Sequence, residues 1–263
     1  MGTRNEAAMT QLREVSLSTM RNELRCTRSD ACEELYNVFL NKHLNTYIGD
    51  GKPVSGQIVA AVMELEKYRS SDVYRYFHNN HRRNIDKAKK RNYYCKPFSY
   101  LQFVPDIYEV NTSKPERTGR PMSPQYLRTI DEMGGAPYES MLTIKPDCPV
   151  HYDYWWGVFK EVSGRYQGSV QVNEQLLGYV KLRRHGDYAF YAQILGHGDY
   201  LKDGVMHLLH YELVTWALTS FDDEANGLTK LIYAGYNQGL EGLQRWKRRA
   251  LFEPALLYTD KNK

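Results

Sequence analysis

The sequence has few cysteines and none of the common metal-binding spacings. It contains 4 cysteines and 8 histidines in 263 residues. The cysteines form no C-x-x-C pair and are too sparse for a disulfide scaffold, so free thiols in a reducing compartment are the simplest interpretation. They are Cys26, Cys32, Cys95 and Cys148. Because the histidines show no H-E-x-x-H spacing either, the sequence predicts no metal site.

Long apolar runs are missing as well. No window of the chain approaches the roughly 18 apolar residues of a membrane-spanning helix, and the first residues lack the apolar core of a signal peptide. We therefore expect a cytoplasmic protein that does not span a membrane. The chain also lacks the G-x-S-x-G motif of serine hydrolases and the lysine motif of P-loop proteins, so neither class has support.

Positive charge is concentrated in one segment. The net charge is only +4, but residues 81–91 (HRRNIDKAKKR) contain six lysines and arginines and a single aspartate. On a helix, Arg83 and Lys87 lie one turn apart on the same side. Such a stripe can bind the phosphates of tRNA or other nucleic acid, which makes both residues candidates for substrate binding. A solvated helix face is the alternative interpretation.

Hydrophobic periodicity divides the chain into two regions. Residues 5–50 have helical, amphipathic spacing and a turn-rich stretch follows, so we expect residues 1–68 to form a helical N-terminal extension. Residues 69–263 are expected to form the main domain, with helices at 71–91, 201–219 and 240–249 and strands at 140–144, 154–161, 177–184, 187–195, 228–236 and 252–258. The predicted fold class is α/β or α+β, with a mixed, mostly antiparallel sheet flanked by helices. The strands on either side of helix 201–219 are expected to be parallel neighbours.

This succession, over about residues 70–258, resembles the GNAT superfamily of N-acyltransferases. In that family a Q/R-x-x-G-x-G/A loop joins a strand to a helix whose N-terminal amides hold the pyrophosphate of coenzyme A. Here Gly204 matches the first glycine, whereas Leu201 and Met206 replace the first and last motif residues. The resemblance implies acetyl-CoA or another acyl-CoA as the donor, and it implies cofactor binding by Lys202, Asp203, Gly204, Val205 and Met206.

Two further segments are similar to the Fem-type branch, whose members move amino acids from aminoacyl-tRNA onto peptidoglycan precursors. Residues 81–91 resemble an R-R-x-I-x-K-A segment, and residues 243–254 (LQRWKRRALFEP) resemble a Y-R-F-K-x-x-F-G segment. That resemblance places Lys247 at the acyl-transfer centre and Trp246 beside it. It also implies aminoacyl-tRNA as the alternative donor.

Several other polar residues are candidates for the same site. His197 stands between two glycines and precedes Asp199, which suits a general base or a simple turn. Tyr236 ends a predicted strand and is a candidate proton donor to the leaving group. A proline-rich cationic loop can bind the acceptor through planar guanidinium groups, or can be purely structural; its candidates are Arg117, Arg120 and Tyr126.

Two functions stay open at this point. The first is an N-acyltransferase that moves an acyl or aminoacyl group from a thioester or tRNA ester to an amine-bearing acceptor, with Lys247 stabilising the oxyanion. The second is a non-catalytic GNAT-like module that binds nucleic acid through its basic face. If the strands near 187–195 and 228–236 do not splay apart and the backbone amides of residues 204–206 point into the protein, catalysis is not expected, which gives the structure a means of discriminating between the two. Neither the donor, the acceptor nor the oligomeric state follows from the sequence.

Overall fold

A mixed β-sheet forms the centre of the molecule. The computed structural model describes residues 12–17, 25–69, 71–117, 120–143, 145–219, 221–233 and 235–259. The strands are β1 (Arg13–Leu17), β2 (Ile48–Asp50), β3 (Ala60–Glu64), β4 (Tyr94–Pro97), β5 (Glu116–Arg117), β6 (Arg120–Pro121), β7 (His151–Glu161), β8 (Tyr166–Gln167), β9 (Val170–Gln171), β10 (Glu174–His185), β11 (Tyr188–Gly196), β12 (Lys230–Tyr233) and β13 (Glu253–Thr259). The α-helices are α1 (Asp30–His43), α2 (Asn79–Lys89), α3 (Val104–Thr112), α4 (Val205–Leu218) and α5 (Glu241–Arg249).

Within the described residues, nine of these strands make up the central sheet. Its order is β1-β13-β3-β12-β11-β10-β7-β4, and β2 also pairs with β13. The long strand β10 is antiparallel to both of its neighbours in the sheet, β7 and β11. In contrast, β11 and β12, which flank α4 in the chain, are parallel. The predicted fold class and the predicted parallel pair are both confirmed.

Side chains at alternate positions of the strands pack into two separate hydrophobic cores. Ala61 and Met63 pack on the face that carries α2 and α4, whereas Ala60 and Val62 point to the opposite face with Phe39 of α1. Helix α3 packs in a third cluster against β7 and β10. Period-two alternation in a strand covered by helices on both sides produces this division. No helix in the described part of the chain is both long and apolar enough to cross a membrane.

The predicted helical extension is wrong for several of its residues. Of the described residues in 1–68, α1 is helical as expected, but β1 and β3 are strands of the central sheet. β1 pairs with β13 from the far end of the chain, and β3 lies between β12 and β13. A five-residue strand gains its stability from those distant partners, so local periodicity does not reveal it. The sheet therefore marks no boundary near residue 68.

Other predicted elements also differ from the observed ones. The strand expected at 140–144 is absent over its described residues 140–143, where Leu142 is 83% exposed and has no strand beside it. The strand expected at 228–236 is confined to β12, which ends at Tyr233, and residues 236–237 form a turn. Helix 71–91 is divided into a short 3-10 helix, Val73–Tyr76, and α2. The helix expected at 201–219 likewise begins with a 3-10 turn, Leu201–Asp203, before α4.

Candidate active site

A cleft opens where two parallel strands stop pairing. β11 and β12 are paired at three positions, ending with Phe190 and Ile232, although β11 continues to Gly196. Just beyond that pair, the register between β10 and β11 shifts by one residue and leaves Ala192 as the extra residue of a β-bulge. Bulges bend and twist a strand. The two strands thus diverge as the acyltransferase hypothesis requires.

The cleft has a volume of about 400 Å³ and mostly apolar walls. It is lined by residues 194–196 of β11, by Leu201, Met206 and His207 around the start of α4, by Tyr233 of β12, by Gly242, Leu243 and Trp246 of α5, and by Arg117. Among the predicted site residues, the structure thus brings together Arg117, Met206 and Trp246. A cavity of this size and polarity suits a small organic group held by a few polar contacts.

Two cleft-lining side chains each have a buried polar atom without a protein partner in the described part of the chain. His207 Nδ1 and Trp246 Nε1 are buried, and within the described part of the chain neither has a hydrogen-bond partner. Burial, followed by the charge of Arg249, lowers the pKa of His207 to about 4, so the imidazole is neutral near pH 7. Buried polar groups normally have partners. The two unpartnered atoms, both on side chains that line the cleft, are therefore the exceptions to this rule at the candidate site.

The glycine of the predicted donor loop is required by the protein's own packing. Gly204 adopts φ 86°, in the left-handed region, between the turn Leu201–Asp203 and α4. A Cβ there would overlap the carbonyl oxygen of Asn84 in α2. Val205, the first residue of α4, is fully buried. Helix α2 therefore covers the helix N-terminus that holds pyrophosphate in the family motif.

Met206 lies on the floor of the cleft, in contact with two glycines. Gly178 of β10 and Gly196 of β11 are register partners. A Cβ on either would come within 2.8 Å of the Met206 Sδ atom. The two glycines therefore provide the space for a side chain much larger than the Gly or Ala of the family motif.

Asp203 connects the donor loop to the basic helix. Its carboxylate is 5% exposed, accepts a hydrogen bond from the Tyr93 hydroxyl at 3.2 Å, and lies 3.3 Å from Arg91 and 3.7 Å from Lys87. Lys87 also donates to the carbonyl oxygen of the exposed Lys202 at 2.8 Å. The cations Lys87 and Arg91, near the end of α2, thus hold the loop in place, and they outnumber the single carboxylate of Asp203.

Lys247 lies behind the cleft wall. Its side chain is fully buried, and Nζ donates to the carbonyl oxygens of Gly235 and Gln238. The ammonium group also lies 4.9 Å from the ring centroid of Tyr233, which lines the cleft. Burial lowers the pKa of Lys247 to about 8. Lys247 therefore contacts the cleft through Tyr233, whereas the adjacent Trp246 lines it.

The other two predicted catalytic residues lie outside the set that lines the cleft. His197 follows β11, and its Nδ1 accepts from the Asp199 backbone amide at 3.3 Å, as in a turn. Its ring packs beside Tyr200, with the centroids 5.2 Å apart. The backbone amide of Tyr236 donates to Val59 at 2.7 Å, and its side chain packs against the main core.

The predicted acceptor loop reaches the cleft through Arg117. Its guanidinium donates to Gly196 at 2.8 Å and to Val110 at 3.1 Å, which fixes the β5–β6 hairpin against β11 and α3. The Tyr126 phenol is close enough to Tyr233 to raise its pKa further, after burial. The backbone of Arg120 pairs with Arg117 in the hairpin, but its side chain lies outside what the structure describes.

The basic run forms an exposed face of α2. Arg83, Lys87 and Lys90 are exposed, while His81, Ile85 and Ala88 of the same helix are buried. Helix α5 contacts α2 and ends with basic residues, of which Arg245 and Arg248 are exposed. We refer to the exposed cations of these two contacting helices, Arg83, Lys87, Lys90, Arg245 and Arg248, as the cationic surface.

Sequence reasoning gave too little weight to the residues on α4 and β12. His207 and Tyr233 both line the cleft, although neither is among the residues predicted for the site. His210, one turn further on, does pack: it is fully buried, its Nδ1 accepts from Tyr191 at 2.8 Å and its Nε2–H donates to Ala250 at 2.9 Å. A spacing of three residues on a helix places both histidines on one side, so the sequence pattern does not distinguish them. In the structure His207 lines the cleft, whereas His210 is fully buried in the core.

Comparisons with known proteins give structural but no sequence relatives. No family model and no curated protein matches the chain. Among solved structures, FemX is 10% identical with a TM-score of 0.51, over 76% of this chain and 60% of FemX. The C-terminal domain of a putative lysylphosphatidylglycerol synthetase from Agrobacterium fabrum is 12% identical (TM-score 0.42; 75% of this chain, 58% of that one). L-PGS from Bacillus licheniformis is 11% identical, with the same TM-score of 0.42 and the same coverage of 75% and 58%.

Of these similarities, the one to FemX exceeds a TM-score of 0.5, and the assignment of the fold rests on it. The chain spans 60% of the length of FemX. At 10% identity the similarity describes architecture and not activity. Together with the mixed sheet, the comparison shows that this chain has a fold similar to that of FemX.

Proposed function

We propose that this protein is an N-acyltransferase that moves an acyl or aminoacyl group from an ester or thioester to an amine. The observation that carries the proposal is the apolar cleft of about 400 Å³ at the point where β11 and β12 diverge. In the reaction, the amine nitrogen forms a bond to the acyl carbon, the bond from that carbon to oxygen or sulfur breaks, and the proton of the amine passes to the leaving group or to solvent. The cleft would contribute mainly by positioning the two reactants.

Two side chains are suited to positioning the amine and the acyl group. The neutral imidazole of His207 can accept a hydrogen bond from the attacking amine through Nδ1, and Trp246 can donate one to an acyl oxygen through Nε1, because both atoms are without protein partners in the described part of the chain. Lys247 would act through Tyr233, whose ring its ammonium group faces. We expect Lys247→Ala to lower turnover at least about tenfold with the fold intact.

Aminoacyl-tRNA is the donor that the site favours over acyl-CoA. Helix α2 packs against Gly204 and Val205 is fully buried, so the N-terminus of α4 would have little room for a pyrophosphate group. The cationic surface of α2 and α5 lies beside the same loop and suits an extended phosphate backbone. Acyl-CoA remains the competing donor, and the acceptor would be an amine-bearing molecule.

The donor can be tested by equilibrium binding. We would titrate the protein with aminoacyl-tRNA, with deacylated tRNA and with acetyl-CoA at several salt concentrations. The expected result is tighter binding of aminoacyl-tRNA, with an affinity that falls as salt rises. Arg83→Glu should weaken it at least about tenfold by placing a negative charge among the phosphates, whereas the matched change Lys52→Glu, on the exposed turn after β2, should not. Binding of neither donor would overturn the proposal.

Catalysis can be separated from binding by filling the cleft. Leu243 lines it from α5, so Leu243→Trp should abolish transfer of a labelled aminoacyl group to amine acceptors while tRNA affinity is retained. Leu240→Trp is the matched control, because Leu240 is exposed at the start of the same helix. If the wild-type protein binds tRNA and DNA equally and transfers nothing to any amine, the second function, a nucleic-acid-binding module without catalysis, replaces the first.

A further inference from the structure

The folded chain brings together three cysteines and a histidine that are far apart in the sequence. The ligand atoms of Cys26, Cys32, Cys148 and His151 all lie within 4.8 Å of one another. Within a tetrahedral zinc site, zinc–sulfur distances of about 2.3 Å and zinc–nitrogen distances of about 2.0 Å place neighbouring ligand atoms roughly 3.6–3.8 Å apart. Cys148 Sγ and His151 Nδ1 are already 3.6 Å apart.

We propose that Cys26, Cys32, Cys148 and His151 bind one zinc ion in a closed structural site. Three thiolates and one imidazole form one of the ligand sets that structural zinc sites use. The four cysteines of the chain, all in its described part, are free thiols. The fourth, Cys95, lies on β4 and is not a member of the cluster.

Local structure delivers the four ligands in two pairs. Cys148 and His151 have C-x-x-H spacing across the turn that leads into β7, whose first residue is His151. Cys26 precedes α1, and Cys32 lies in the first turn of that helix. Since α1 packs against β7, its N-terminal turn meets the beginning of the strand and the two pairs face each other.

Protein encloses three of the four ligands, and the fourth, Cys26, is partly exposed. Cys32, Cys148 and His151 are 2%, 3% and 5% exposed, and the fully buried Val150 packs with them. A catalytic zinc keeps an open coordination position, whereas a structural zinc is surrounded by four protein ligands. The burial of this cluster therefore indicates a structural role.

Groups around the sulfur atoms are suited to thiolates. The Arg28 backbone amide donates to Cys26 Sγ at 3.2 Å. Ser29 occupies the N-cap position of α1, yet its side chain makes no capping hydrogen bond, and its Oγ lies 3.2 Å from Cys32 Sγ. Thr27 Oγ1 lies 3.5 Å from the same sulfur. Hydrogen bonds of this kind orient metal ligands and offset the charge of thiolates.

Zinc binding would join the beginning of α1 to the beginning of β7. The ion would displace the three thiol protons, so affinity should rise with pH. Because the two ligand pairs are separated by a long stretch of chain, the crosslink would restrict the unfolded state much as a disulfide does. This role does not depend on the proposed transfer activity.

The test measures metal in the intact protein. After purification under reducing conditions without chelators, elemental mass spectrometry should find about one zinc ion per protein chain. Cys32→Ser, Cys148→Ser and His151→Gln should each lower that content to less than about a tenth of the wild-type value. Cys95→Ser is the matched control and should keep the full content, because its thiol lies outside the cluster.

A spectroscopic measurement on the wild-type protein tests the proposal even if the variants fail to fold. Cobalt(II) exchanged into the site should produce the visible absorption of tetrahedral cobalt with thiolate ligands, and added zinc should remove it. Removal of zinc by a chelator should lower the Tm, and added zinc should restore it. A folded wild-type protein that contains no zinc and takes up neither ion would overturn the proposal. So would a disulfide between two of the three cysteines in protein purified under those reducing conditions.

Discussion

Lys247 carries a buried ammonium group whose titration can be followed through the stability of the fold. The side chain is fully buried, and burial lowers its pKa from the ordinary 10.5 to about 8. Below about pH 8 the lysine is protonated in both the folded and the unfolded chain, and the folded state bears the cost of the buried charge. Between pH 8 and 10.5 the unfolded chain still binds the proton and the folded chain does not.

The sign of the effect follows from this difference in bound protons. The free energy of unfolding rises with pH wherever the unfolded state binds more protons than the folded state. One pH unit across this window is worth about 1.4 kcal/mol for a single group. Because titration near pH 8 is gradual, we expect Lys247 to raise the free energy of unfolding by about 1 kcal/mol between pH 7 and pH 9.

The assay compares urea unfolding of the wild type and of Lys247→Met at pH 7, 8 and 9. Methionine keeps most of the volume and removes the titrating group, so the stability difference between the two proteins should shift by about 1 kcal/mol in favour of the wild type as the pH rises. Lys42→Met, at an exposed position on α1, should show the pH dependence of the wild type. Measurements stop at pH 9 because tyrosines of the unfolded chain titrate near pH 10.

Parallel pH dependence in the wild type and in Lys247→Met would refute the reasoning, since it would mean that Lys247 keeps an ordinary pKa despite its burial. The result also bears on the proposed reaction. A lysine with a pKa near 8 is mostly charged at pH 7, as an electrostatic role through Tyr233 requires, and transfer should then decline as the pH rises through about 8.

Three further predictions concern single side chains. Gly204→Ala should lower the free energy of unfolding, measured in urea, by more than about 2 kcal/mol, because the added Cβ would overlap Asn84. The matched control is Gly56→Ala, which should cost about 1 kcal/mol, because Gly56 has a similar φ of +75° but open space around it. Arg184→Met should cost at least about 3 kcal/mol in the same assay, because it leaves the carbonyl oxygens of Gly186, Glu224 and Asn226 without its buried guanidinium. The matched change Arg183→Met should cost less, because Arg183 and Asp153 form an ion pair that is only partly buried. Gly196→Ala should push Met206 into the cleft and reduce transfer with little loss of Tm, and Met206→Ala should restore transfer in the double variant.

The elements that were predictable from the sequence are those fixed by local pattern. Helix α4 and strands β10 and β11 have long periodic segments with turn residues between them, and the structure places them within a few residues of their predicted bounds. β1 was missed because its five residues depend on β13, at the other end of the chain, for their hydrogen bonds. The apolar residues at 140–143 were mistaken for a strand because composition alone does not supply a partner strand.

The cysteine cluster was beyond sequence reasoning for a similar cause. A search for C-x-x-C pairs overlooks a C-x-x-H pair, and Cys26 and Cys32 have an uncommon spacing because the N-cap turn of α1 lies between them. Nothing local connects them to Cys148. The link arises from the packing of α1 on β7, which is a property of the tertiary fold. A motif search that included cysteine–histidine spacings would have found one local signal, the C-x-x-H spacing of residues 148–151.

The departures of the donor loop from the family motif belong to one consistent packing arrangement. Met206 is larger than the residue it replaces, and the register partners Gly178 and Gly196 leave room for its thioether on the cleft floor. Gly204 is retained, but the backbone of α2 occupies the space beside it. Random loss of a coenzyme site would leave cavities or clashes at these positions. Neighbouring residues accommodate both departures from the motif, and this supports the proposed donor, which would be bound through the cationic surface of α2 and α5 and not at the N-terminus of α4.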